Sequence, residues 1–475
     1  MSHTSVLVIL LFLVFLGALP ASVAVVHYLM VGIHFRSDHL DIVTSQFPRV
    51  AILVPAWNEA AVLTQAVQRL LDLDYPKDCI RVIVVDDAST DDTPAVVAAL
   101  VKQSPSQVVH IRRDQGGQGK AHTLNVGLEY ALSDDWAQAV MIMDADVIFE
   151  RTALRRMTRH FADPNVGAVT GYIQEGSRPG NWMTRSISVE YATAQAVGRR
   201  AQNVVGPIAC LAGGAQLHTR ESLQRIGGRI DTTTLAEDTV TTLETQLAGA
   251  KVIFDPHALV LAEEPGSIEA LWKQRLRWGR GNLQVASRYR KLWFRPSTPG
   301  GLGRWWFGIT WFSLLLQAGT AVTTSMGLTV LYLTAPDIAW DAFLYGWVIT
   351  LLAVVLTSLI TLLVDTNIAR RCIVDACLFP GLGNLAILLI ILVPHFSVPL
   401  HLRPLLYAWP VLAMVVCWIA RYAERAGWKF LAHLLVIIGG YGSLLSAINI
   451  NAYLAQIRNK PMTWEKTEKV GRMSI

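Results

Sequence analysis

Six apolar runs of membrane length are the feature that most limits how this 475-residue chain can fold. The first extends from Ser5 to Ile33, and the other five come after a long stretch that reads like a soluble domain. These five cover residues 306–334, 339–364, 376–394, 404–420 and 431–453. Because a crossing of the hydrocarbon core takes about 20 apolar residues, the pattern predicts a multi-pass integral membrane protein. The composition, 52% hydrophobic and only 16% charged, indicates the same class.

Basic residues beside these runs predict the orientation of the chain. Arg36 follows the first run, so the positive-inside rule makes residues 1–36 a transmembrane anchor and places the following domain in the cytoplasm. Five full crossings after residue 301 would put the basic C-terminal tail outside, against the same rule. One run, such as 376–394 or 404–420, is therefore expected not to cross fully, and the sequence leaves open which one. The predicted location is the cell membrane, plasma or inner.

Short apolar runs alternate with amphipathic, helix-like segments between residues 47 and 266. Six of the runs have the length and residue types of buried strands. They are RVAILVP, CIRVIVVDD, QVVHIRR, AVMIMDAD, VGAVTGY and KVIFDPHALVLA. Such alternation predicts an α/β domain with a mostly parallel sheet that is covered by helices.

Carboxylates stand at the ends of two of these predicted strands. Asp86 and Asp87 end one run, and Asp144 and Asp146 end another in an Asp-x-Asp pattern. Oxygen ligands at the C-terminal edge of a sheet can hold Mg²⁺ or Mn²⁺ beside a diphosphate. A solvated strand end is the plain alternative. The pattern favours nucleotide-sugar chemistry, with a divalent metal on Asp144 and Asp146.

Two turns add groups that could contact the nucleotide. The segment RVAILVPAWNEA places Pro55, Asn58 and Glu59 at a strand-to-helix turn, where backbone N–H groups can surround a nucleotide. Asn and Glu also cap helices, so this signal is weak alone. The segment GGQGKAHTLN resembles a phosphate loop, but Ala121 follows Lys120 where the Walker pattern needs Ser or Thr. An ATPase is thereby disfavoured, although Lys120 can still contact a diphosphate.

A second acidic pair follows a segment of small residues. Glu237 and Asp238 follow ACLAGGAQ, in which Gly213 and Gly214 allow close approach of the backbone. A carboxylate near an acceptor hydroxyl can serve as a general base. A helix N-terminus that favours acidic residues is the plain alternative.

Residues 267–300 form an amphipathic segment that joins the domain to the apolar runs. ALWKQRLRWGRGNLQVASRYRKLWF mixes aromatic and basic side chains, which is typical of a helix in the headgroup region, although an ordinary charged surface helix is the alternative. Arg275 and Arg277 offer guanidinium forks for phosphate, and Trp278 offers an aromatic plate for a sugar ring; Gln274 stands beside them.

The order P-x-x-N-E, D-D, D-x-D, E-D and Q-x-x-R-W, with apolar helices after the last, resembles the processive membrane glycosyltransferases of family 2. These include the cellulose, chitin, hyaluronan and poly-N-acetylglucosamine synthases. The resemblance covers residues 50–295, and LWKQRLRWGRGNLQV and VGAVTGY look most like the poly-β-1,6-N-acetylglucosamine and nodulation chitooligosaccharide synthases. It implies that residues 47–266 have a GT-A glycosyltransferase fold and that the reaction inverts the configuration of the sugar.

The resemblance also implies roles for single residues. Asp86 and Asp87 would contact the uridine, Asp144 and Asp146 would bind the metal and diphosphate, and Asp238 would deprotonate the acceptor hydroxyl.

At the acceptor end, Gln274, Arg277 and Trp278 would border the acceptor and the leaving diphosphate. The cytoplasmic tail, residues 456–475, contains Trp464, Lys466 and Thr467 in the order W-E-K-T, which resembles a family motif near the nucleotide.

One position departs from the family. Thr-Glu-Asp is usual there, and this chain has Ala236-Glu237-Asp238. The base is retained, but a hydroxyl that could orient the loop is missing.

The function implied is processive polymerisation of a UDP-sugar, with UDP-N-acetylglucosamine giving poly-β-N-acetylglucosamine as the leading candidate. Residues 301–455 would form the path through which this biofilm-type exopolysaccharide is exported. UDP-glucose, UDP-glucuronate with N-acetylglucosamine, GDP-mannose, or non-processive transfer to a lipid are the alternatives. Expected partners are the nucleotide sugar, the growing polysaccharide, the lipid bilayer and a small membrane accessory subunit. No nucleic acid is expected as a partner, because the net charge of +5 without dense basic tracts suits a protein on anionic lipid better than a nucleic-acid binder. A transporter would not explain the ordered carboxylate motifs.

Overall fold

The computed structural model describes residues 3–37, 40–393 and 398–460. The strands of this part of the chain form one sheet of eight, in the order β3-β2-β1-β4-β7-β6-β8-β5. Their bounds are β1 Val50–Ala56, β2 Ile80–Asp86, β3 Val108–Arg112, β4 Ala139–Ile142, β5 Val147–Phe149, β6 Val166–Glu175, β7 Gln216–Thr219 and β8 Lys251–Ala262. The six strands predicted from the sequence are all present.

The sheet is mixed, and the prediction of a mostly parallel sheet was correct for only one half. Strands β3, β2, β1 and β4 are parallel, as are β6 and β8. The antiparallel pairs are β4–β7, β6–β7 and β5–β8. Each of these pairs includes β5 or β7, which have three and four residues and were not predicted from the sequence.

Helices precede, cover and follow this sheet. Two apolar helices come first, α1 His3–Leu16 and α2 Leu19–His34. The α/β domain contains α3 Ala60–Leu71, α4 Thr93–Gln103, α5 Lys120–Leu132, α6 Ala153–Thr158, α7 Trp182–Tyr191, α8 Gly198–Val205, α9 Arg220–Arg225, α10 Glu237–Leu247 and α11 Ile268–Arg288. The C-terminal part contains α12 Trp305–Leu315, α13 Gln317–Thr334, α14 Pro336–Val364, α15 Thr366–Arg371, α16 Ile373–Leu378, α17 Leu382–Leu392, α18 Arg403–Arg425, α19 Lys429–Gly439 and α20 Tyr441–Ile457.

Strand β1 is apolar along its whole length because helices cover both of its faces. Successive side chains point to opposite faces of a strand, and both faces of β1 are covered. Ile52 packs in a cluster with Leu63 and Leu70 of α3, while Leu53 packs in another cluster with Leu124 of α5. The strand is therefore fully inside the domain, and its C-terminal end is held rigidly.

Only some of the apolar helices are long enough to cross a membrane. Among the described residues, α14 and α18 are each long and apolar enough to cross a bilayer. The pairs α1–α2, α12–α13 and α19–α20 reach that length only if each is one span, and they are bent by 46°, 74° and 97°. Helix α17 has 11 residues, or roughly 16 Å, which is shorter than the hydrocarbon core.

The last bent pair, α19–α20, turns back toward the α/β domain. The ring of His433 stacks on Trp182 at 4.2 Å, and the Tyr441 hydroxyl donates to Glu190 at 2.7 Å. Farther on, Arg280 donates to the Lys460 carbonyl at 2.6 Å. Both ends of the pair thus lie on the domain side. The predicted incomplete crossing by one run, such as 376–394 or 404–420, stays a prediction.

A charged joint connects α11 to the end of α18. Both carboxylate oxygens of Glu269 accept from Arg421, at 2.7 and 3.1 Å, and from Arg425, at 2.9 and 2.7 Å. Glu424 accepts from the backbone N–H groups of Ile268 and Glu269, which are otherwise unsatisfied at a helix start. Burial acts to raise the pKa of Glu269, but the two guanidinium groups outweigh it and lower that pKa to about 2.

Replacing Glu269 by Gln should loosen this joint. We expect Glu269→Gln to lower the free energy of unfolding by about 1 kcal/mol, because the joint is partly exposed to solvent. Since the pKa is depressed, the contribution of Glu269 is complete above its ordinary pKa and is lost only as the pH falls toward 2. Thermal unfolding of the purified protein between pH 5 and pH 8 should therefore show a constant difference. The control is Glu221→Gln, which breaks an exposed pair with Arg225; an equal effect in both variants would argue against the joint.

Candidate active site

The C-terminal ends of β1, β2 and β4 meet at one edge of the sheet. Ala56 pairs with Asp86, and Leu53 pairs with Ile142, so the residues that follow these strands are neighbours. A cavity of about 540 Å³ opens at this edge. It is lined by most of the side chains predicted from the sequence: Pro55, Glu59, Asp87, Lys120, Asp144, Asp146, Gly213, Gly214, Glu237, Asp238, Gln274, Arg277 and Trp278.

Other predicted residues lie beside this cavity or outside the described ranges. Asn58, Asp86 and Arg275 do not contribute to its lining within the described part of the chain. The predicted tail residues lie outside the described residues; they are Trp464, Lys466 and Thr467.

The two neighbouring aspartates after β2 have different surroundings. Asp86 is fully buried and accepts from the Ser89 N–H at 2.8 Å and from Arg112 at 2.6 Å. Asp87 lines the cavity and accepts from the Gly117 N–H at 3.0 Å. The predicted contact with the nucleotide therefore suits Asp87, while Asp86 holds the loop that carries it.

Asn58 also holds a loop. Its backbone has a φ of 55°, and its side-chain oxygen accepts from the N–H groups of Thr90 and Asp91 at 2.8 and 3.3 Å. It thereby ties the turn after β1 to the turn after β2. Glu59, the next residue, lines the cavity.

Lys120 is the cation at the centre of the site. It begins α5 directly after Gly119, whose φ of 106° favours glycine. Its Nζ lies 2.5 Å from Asp144 Oδ1 and 3.9 Å from Glu237 Oε1, and it donates to the Gly213 carbonyl at 3.2 Å. Burial acts to lower the pKa of Lys120, but these carboxylates outweigh it and raise the pKa, so the ammonium stays charged.

The acidic pair at the start of α10 is held against this cation. Burial raises the pKa of Glu237, although the Lys120 ammonium opposes the rise and Asp238 adds to it. Oδ1 of Asp238 accepts from the Thr239 N–H at 2.7 Å. The other oxygen, Oδ2, faces Gly213.

Gly213 and Gly214 leave the space in which a reaction could occur. A Cβ on Gly213 would lie 3.2 Å from Asp238 Oδ2 and 3.4 Å from Lys120 Nζ. A Cβ on Gly214 would lie 3.3 Å from Asp144 Oδ2. Side chains at these two positions would therefore fill the gap between the Asp238 carboxylate, the Lys120 ammonium and the Asp144 carboxylate.

The lining carries far more negative than positive charge. Of the described residues that line it, nine are acidic and three are basic. The acidic ones are Glu59, Asp87, Asp144, Asp146, Glu190, Glu237, Asp238, Glu263 and Glu264, and the basic ones are Lys120, Arg199 and Arg277. A diphosphate entering such a cavity would be repelled unless a cation came with it.

The donor set at the end of β4 fits a divalent metal of that kind. Asp144 and Asp146 supply carboxylate oxygens, which Mg²⁺ and Mn²⁺ prefer. In the described ranges, no group of three His, Cys, Asp or Glu side chains is arranged to hold a metal alone. Mg²⁺ commonly takes one or two carboxylates and completes its shell from substrate phosphates and water.

Arg275 has a different role from the phosphate contact predicted for it. The side chain is buried, and it donates to both oxygens of Glu190, at 3.1 and 2.8 Å. Its guanidinium also lies 4.0 Å from the centre of the Trp278 ring. Arg275 therefore fixes the plane of Trp278, which is 37% exposed and faces the cavity.

Several cavity residues were missed by reading the sequence. Glu263 and Glu264 directly follow β8, so the strand-end rule used for Asp144 could have found them. Glu264 accepts from the Tyr191 hydroxyl at 2.7 Å and from Gln274 at 3.3 Å.

No comparable sequence pattern identifies the residues of the helical wall of the cavity. It consists of α7, a π-helical turn at Ala192–Val197 and α8. Glu190 and Arg199 line the cavity from the two sides of this turn. Turns of this kind occur frequently at functional sites.

Comparison with known proteins gives one family match. Residues 48–281 match the model of the family described as "Glycosyltransferase like family 2". The chain is 35% identical over 254 residues to the beta-monoglucosyldiacylglycerol synthase of Synechocystis sp., covering 53% of this chain and 51% of that protein. It is 27% identical over 249 residues to the poly-beta-1,6-N-acetyl-D-glucosamine synthase of Staphylococcus aureus, covering 52% and 58%.

A probable glycosyltransferase of Bacillus subtilis, YdaM, is 30% identical over 252 residues, covering 53% of this chain and 59% of that protein. The chain thus spans between about half and three fifths of the length of these curated relatives. For the domain at residues 48–281, the family match and the names of the relatives support the predicted enzyme class, a glycosyltransferase.

A solved structure confirms the fold. The mannosyltransferase PcManGT from Pyrobaculum calidifontis, in complex with GDP-Man and Mn²⁺, aligns with a TM-score of 0.55 at 22% identity, over 74% of this chain and 99% of that one. The α/β domain therefore has the predicted GT-A fold, with a mixed sheet.

Proposed function

We propose that the glycosyltransferase family 2 domain of this chain transfers a hexose, with inversion, from a nucleoside-diphosphate sugar to a hydroxyl at a membrane face. One observation carries the proposal: Asp238 Oδ2, Lys120 Nζ and Asp144 Oδ2 surround the bare backbone of Gly213 and Gly214 in a single cavity. This arrangement has a base, a cation and an oxygen ligand within reach of one bond.

The donor would bind at the edge formed by β1, β2 and the start of α5. Asp87 and Glu59 line the part of the cavity next to the turns after β2 and β1. The N-terminus of α5 presents backbone N–H groups and the positive end of the helix dipole, and both favour a diphosphate. Lys120 begins that helix and would pair with the diphosphate.

Asp144 and Asp146 would hold Mg²⁺ or Mn²⁺ at this position. The bound ion would supply positive charge to the leaving diphosphate. Support comes from the excess of carboxylates in the lining, which would otherwise repel the donor.

Asp238 would act as the general base. Its Oδ2 takes the proton of the acceptor hydroxyl while the acceptor oxygen bonds to the anomeric carbon and the bond from that carbon to the diphosphate oxygen breaks. A single displacement of this kind inverts the configuration, and the nucleoside diphosphate leaves with the electron pair. The bond from the Thr239 N–H holds Asp238 in position.

Trp278 would form the plate on which the acceptor sugar stacks. It faces the cavity and is backed by Arg275, which Glu190 holds in turn. Polymerisation of UDP-N-acetylglucosamine with export along residues 301–455 is the form of the reaction that we favour. The name of the Staphylococcus aureus relative supports it. The proposed setting is the cell membrane, with the catalytic domain and tail in the cytoplasm and a small accessory subunit as a further partner.

Single transfer to a lipid is the second candidate. The Synechocystis relative, named as a glucosyldiacylglycerol synthase, supports it. A contact in the structure also favours it, because Leu314 of the apolar helix α12 reaches the lining of the catalytic cavity.

Analysis of the product distinguishes polymerisation from single transfer to a lipid. Purified protein in lipid vesicles would be given one labelled nucleotide sugar at a time, and the product would be sized and extracted into organic solvent. A water-soluble polymer from UDP-N-acetylglucosamine is expected. Failure of every nucleotide sugar to give either product would contradict the proposal.

Trp278→Ala should shorten the polymer while release of the nucleotide continues. Stacking on an aromatic plate contributes about 1 kcal/mol, enough to retain a chain between additions without trapping it. The measurement compares product length with total nucleotide release in the wild type and the variant. Trp428→Ala is the matched control, since Trp428 is 64% exposed and lies outside the lining of the cavity. Unchanged length at unchanged yield would show that Trp278 is only an interfacial anchor.

A further inference from the structure

Asp144 is a carboxylate that two cations would share. The Lys120 ammonium lies 2.5 Å from its Oδ1, and a divalent ion held by Asp144 and Asp146 would take an oxygen of the same side chain. Asp144 directly follows β4 by two residues, and Lys120 begins α5, so both are attached to rigid elements. Binding of the ion and the position of the ammonium are therefore not independent of each other.

Further contacts keep the Lys120 ammonium at this place. It donates to the Gly213 carbonyl at 3.2 Å, and Oε1 of Glu237 lies 3.9 Å away. The side chain of Lys120 is 13% exposed, whereas that of Asp144 is 39% exposed. The lysine is thus the more buried partner of the pair, and solvent ions screen its charge only weakly.

The start of α5 adds to this positive charge. Lys120 is the first residue of the helix, and the first N–H groups of a helix carry a positive partial charge. A divalent ion bound at Asp144 by itself would be repelled by both the ammonium and the helix start. Because charges interact more strongly away from bulk water, this repulsion weakens binding of the ion.

A diphosphate group would reverse the effect of the lysine. Phosphate oxygens bind an ammonium group and a divalent ion equally well, so a diphosphate between the two cations pairs with each of them. The same lysine that opposes a divalent ion alone would then strengthen binding of the diphosphate.

We propose that Lys120 couples the two ligands of the donor site: it weakens binding of a divalent cation at Asp144 and Asp146 until a nucleoside diphosphate is present. This inference rests on the proposed glycosyl transfer and adds to it how the donor site is filled and emptied. The coupling is reciprocal, so the cation must strengthen binding of the diphosphate by the same factor. The cation and the nucleoside diphosphate would therefore enter and leave together.

Lys120→Met tests the coupling, because it removes the charge and keeps the length of the side chain. Binding of Mn²⁺ alone is measured by electron paramagnetic resonance on the full chain in vesicles of neutral lipid. We expect the variant to bind Mn²⁺ alone at least roughly tenfold more tightly than the wild type, since the repulsion that it removes exceeds thermal energy even in water.

Binding of UDP, with and without Mn²⁺, is measured by calorimetry on the same preparations. In the presence of Mn²⁺, Lys120→Met should bind UDP roughly tenfold more weakly than the wild type, because a charged contact to the diphosphate is lost. Opposite changes in the two affinities distinguish the coupling from a loss of structure, which would weaken both.

Lys102→Met is the matched control, since Lys102 is exposed and lies outside the lining of the cavity. It should bind both ligands like the wild type. Lys120→Arg keeps the charge and should keep the weak binding of Mn²⁺ alone. If Lys120→Met does not fold, Lys120→Gln replaces it, because the amide can still donate to the Gly213 carbonyl.

Unchanged or weaker binding of Mn²⁺ alone in Lys120→Met would overturn the inference. Equal affinities of the wild type for UDP with and without Mn²⁺ would also overturn it. Neither measurement involves turnover of a nucleotide sugar. The product assay described above therefore shows separately whether the proposed transfer occurs, so failure of the coupling and failure of the proposed function are distinguishable.

Discussion

Asp238→Asn should lower the rate of sugar transfer by roughly 10²–10⁴-fold while binding of the nucleotide sugar survives. The substitution keeps the shape of the side chain but removes its ability to take a proton. Oδ1 is held by the Thr239 N–H, and the lost function belongs to Oδ2, which faces Gly213. Turnover and calorimetric binding of the donor are measured on the same preparation.

The control for this experiment is Asp114→Asn, because Asp114 is exposed and lies outside the lining of the cavity. It should bind and turn over like the wild type. If binding and turnover fall together in Asp238→Asn, Asp238 is a structural residue and another group must serve as the base.

Asp146→Asn should reduce the rate of sugar transfer by at least about 10²-fold, because it removes a carboxylate that would hold the metal ion beside the leaving diphosphate. Asp146 is the better choice of the two aspartates because Asp144 is also the ion-pair partner of Lys120. The site is at the edge of the sheet, so the fold should be little affected. Activity is measured with Mn²⁺ titrated back after EDTA treatment, and Mn²⁺ binding is followed by electron paramagnetic resonance.

Two results would argue against the metal site. One is full activity of the wild type in EDTA, and the other is an Asp146→Asn variant that binds Mn²⁺ as tightly as the wild type. Asp135→Asn serves as the control, since this fully exposed aspartate lies outside the cavity lining.

The sequence predicted the half of the fold that long apolar strands encode. Strands β1, β2 and β4 are largely apolar, and β8 is apolar on both sides of residues 255–257. The carboxylates at the ends of β2 and β4 were found because chain order alone places them at strand ends. Strand β5 was missed because its three residues directly follow the run that contains β4, and β7 was missed because only one of its four residues is apolar. They are the strands that reverse direction in the sheet, so the topology could not be predicted without them.

The roles of neighbouring residues were harder to separate. Successive side chains at a strand end point to opposite sides, so one of Asp86 and Asp87 had to turn away from the cavity, but the pattern does not say which. Arg275 is a similar case. The sequence indicates that its guanidinium group can bind an anion, but it does not identify which one. The partner, Glu190, lies 85 residues away in the chain, and only the folded structure brings the two together.

The π-helical turn at Ala192–Val197 has a consequence for helix phase. In an uninterrupted α-helix each residue adds about 100°, so Glu190 and Arg199 would point in opposite directions. A π turn closes i→i+5 bonds and takes up about one residue more than an α turn, which brings the two side chains to within roughly 80° of each other. One additional residue in this helix thus allows Glu190, which binds Arg275 of α11, and Arg199 to line the same wall of the cavity.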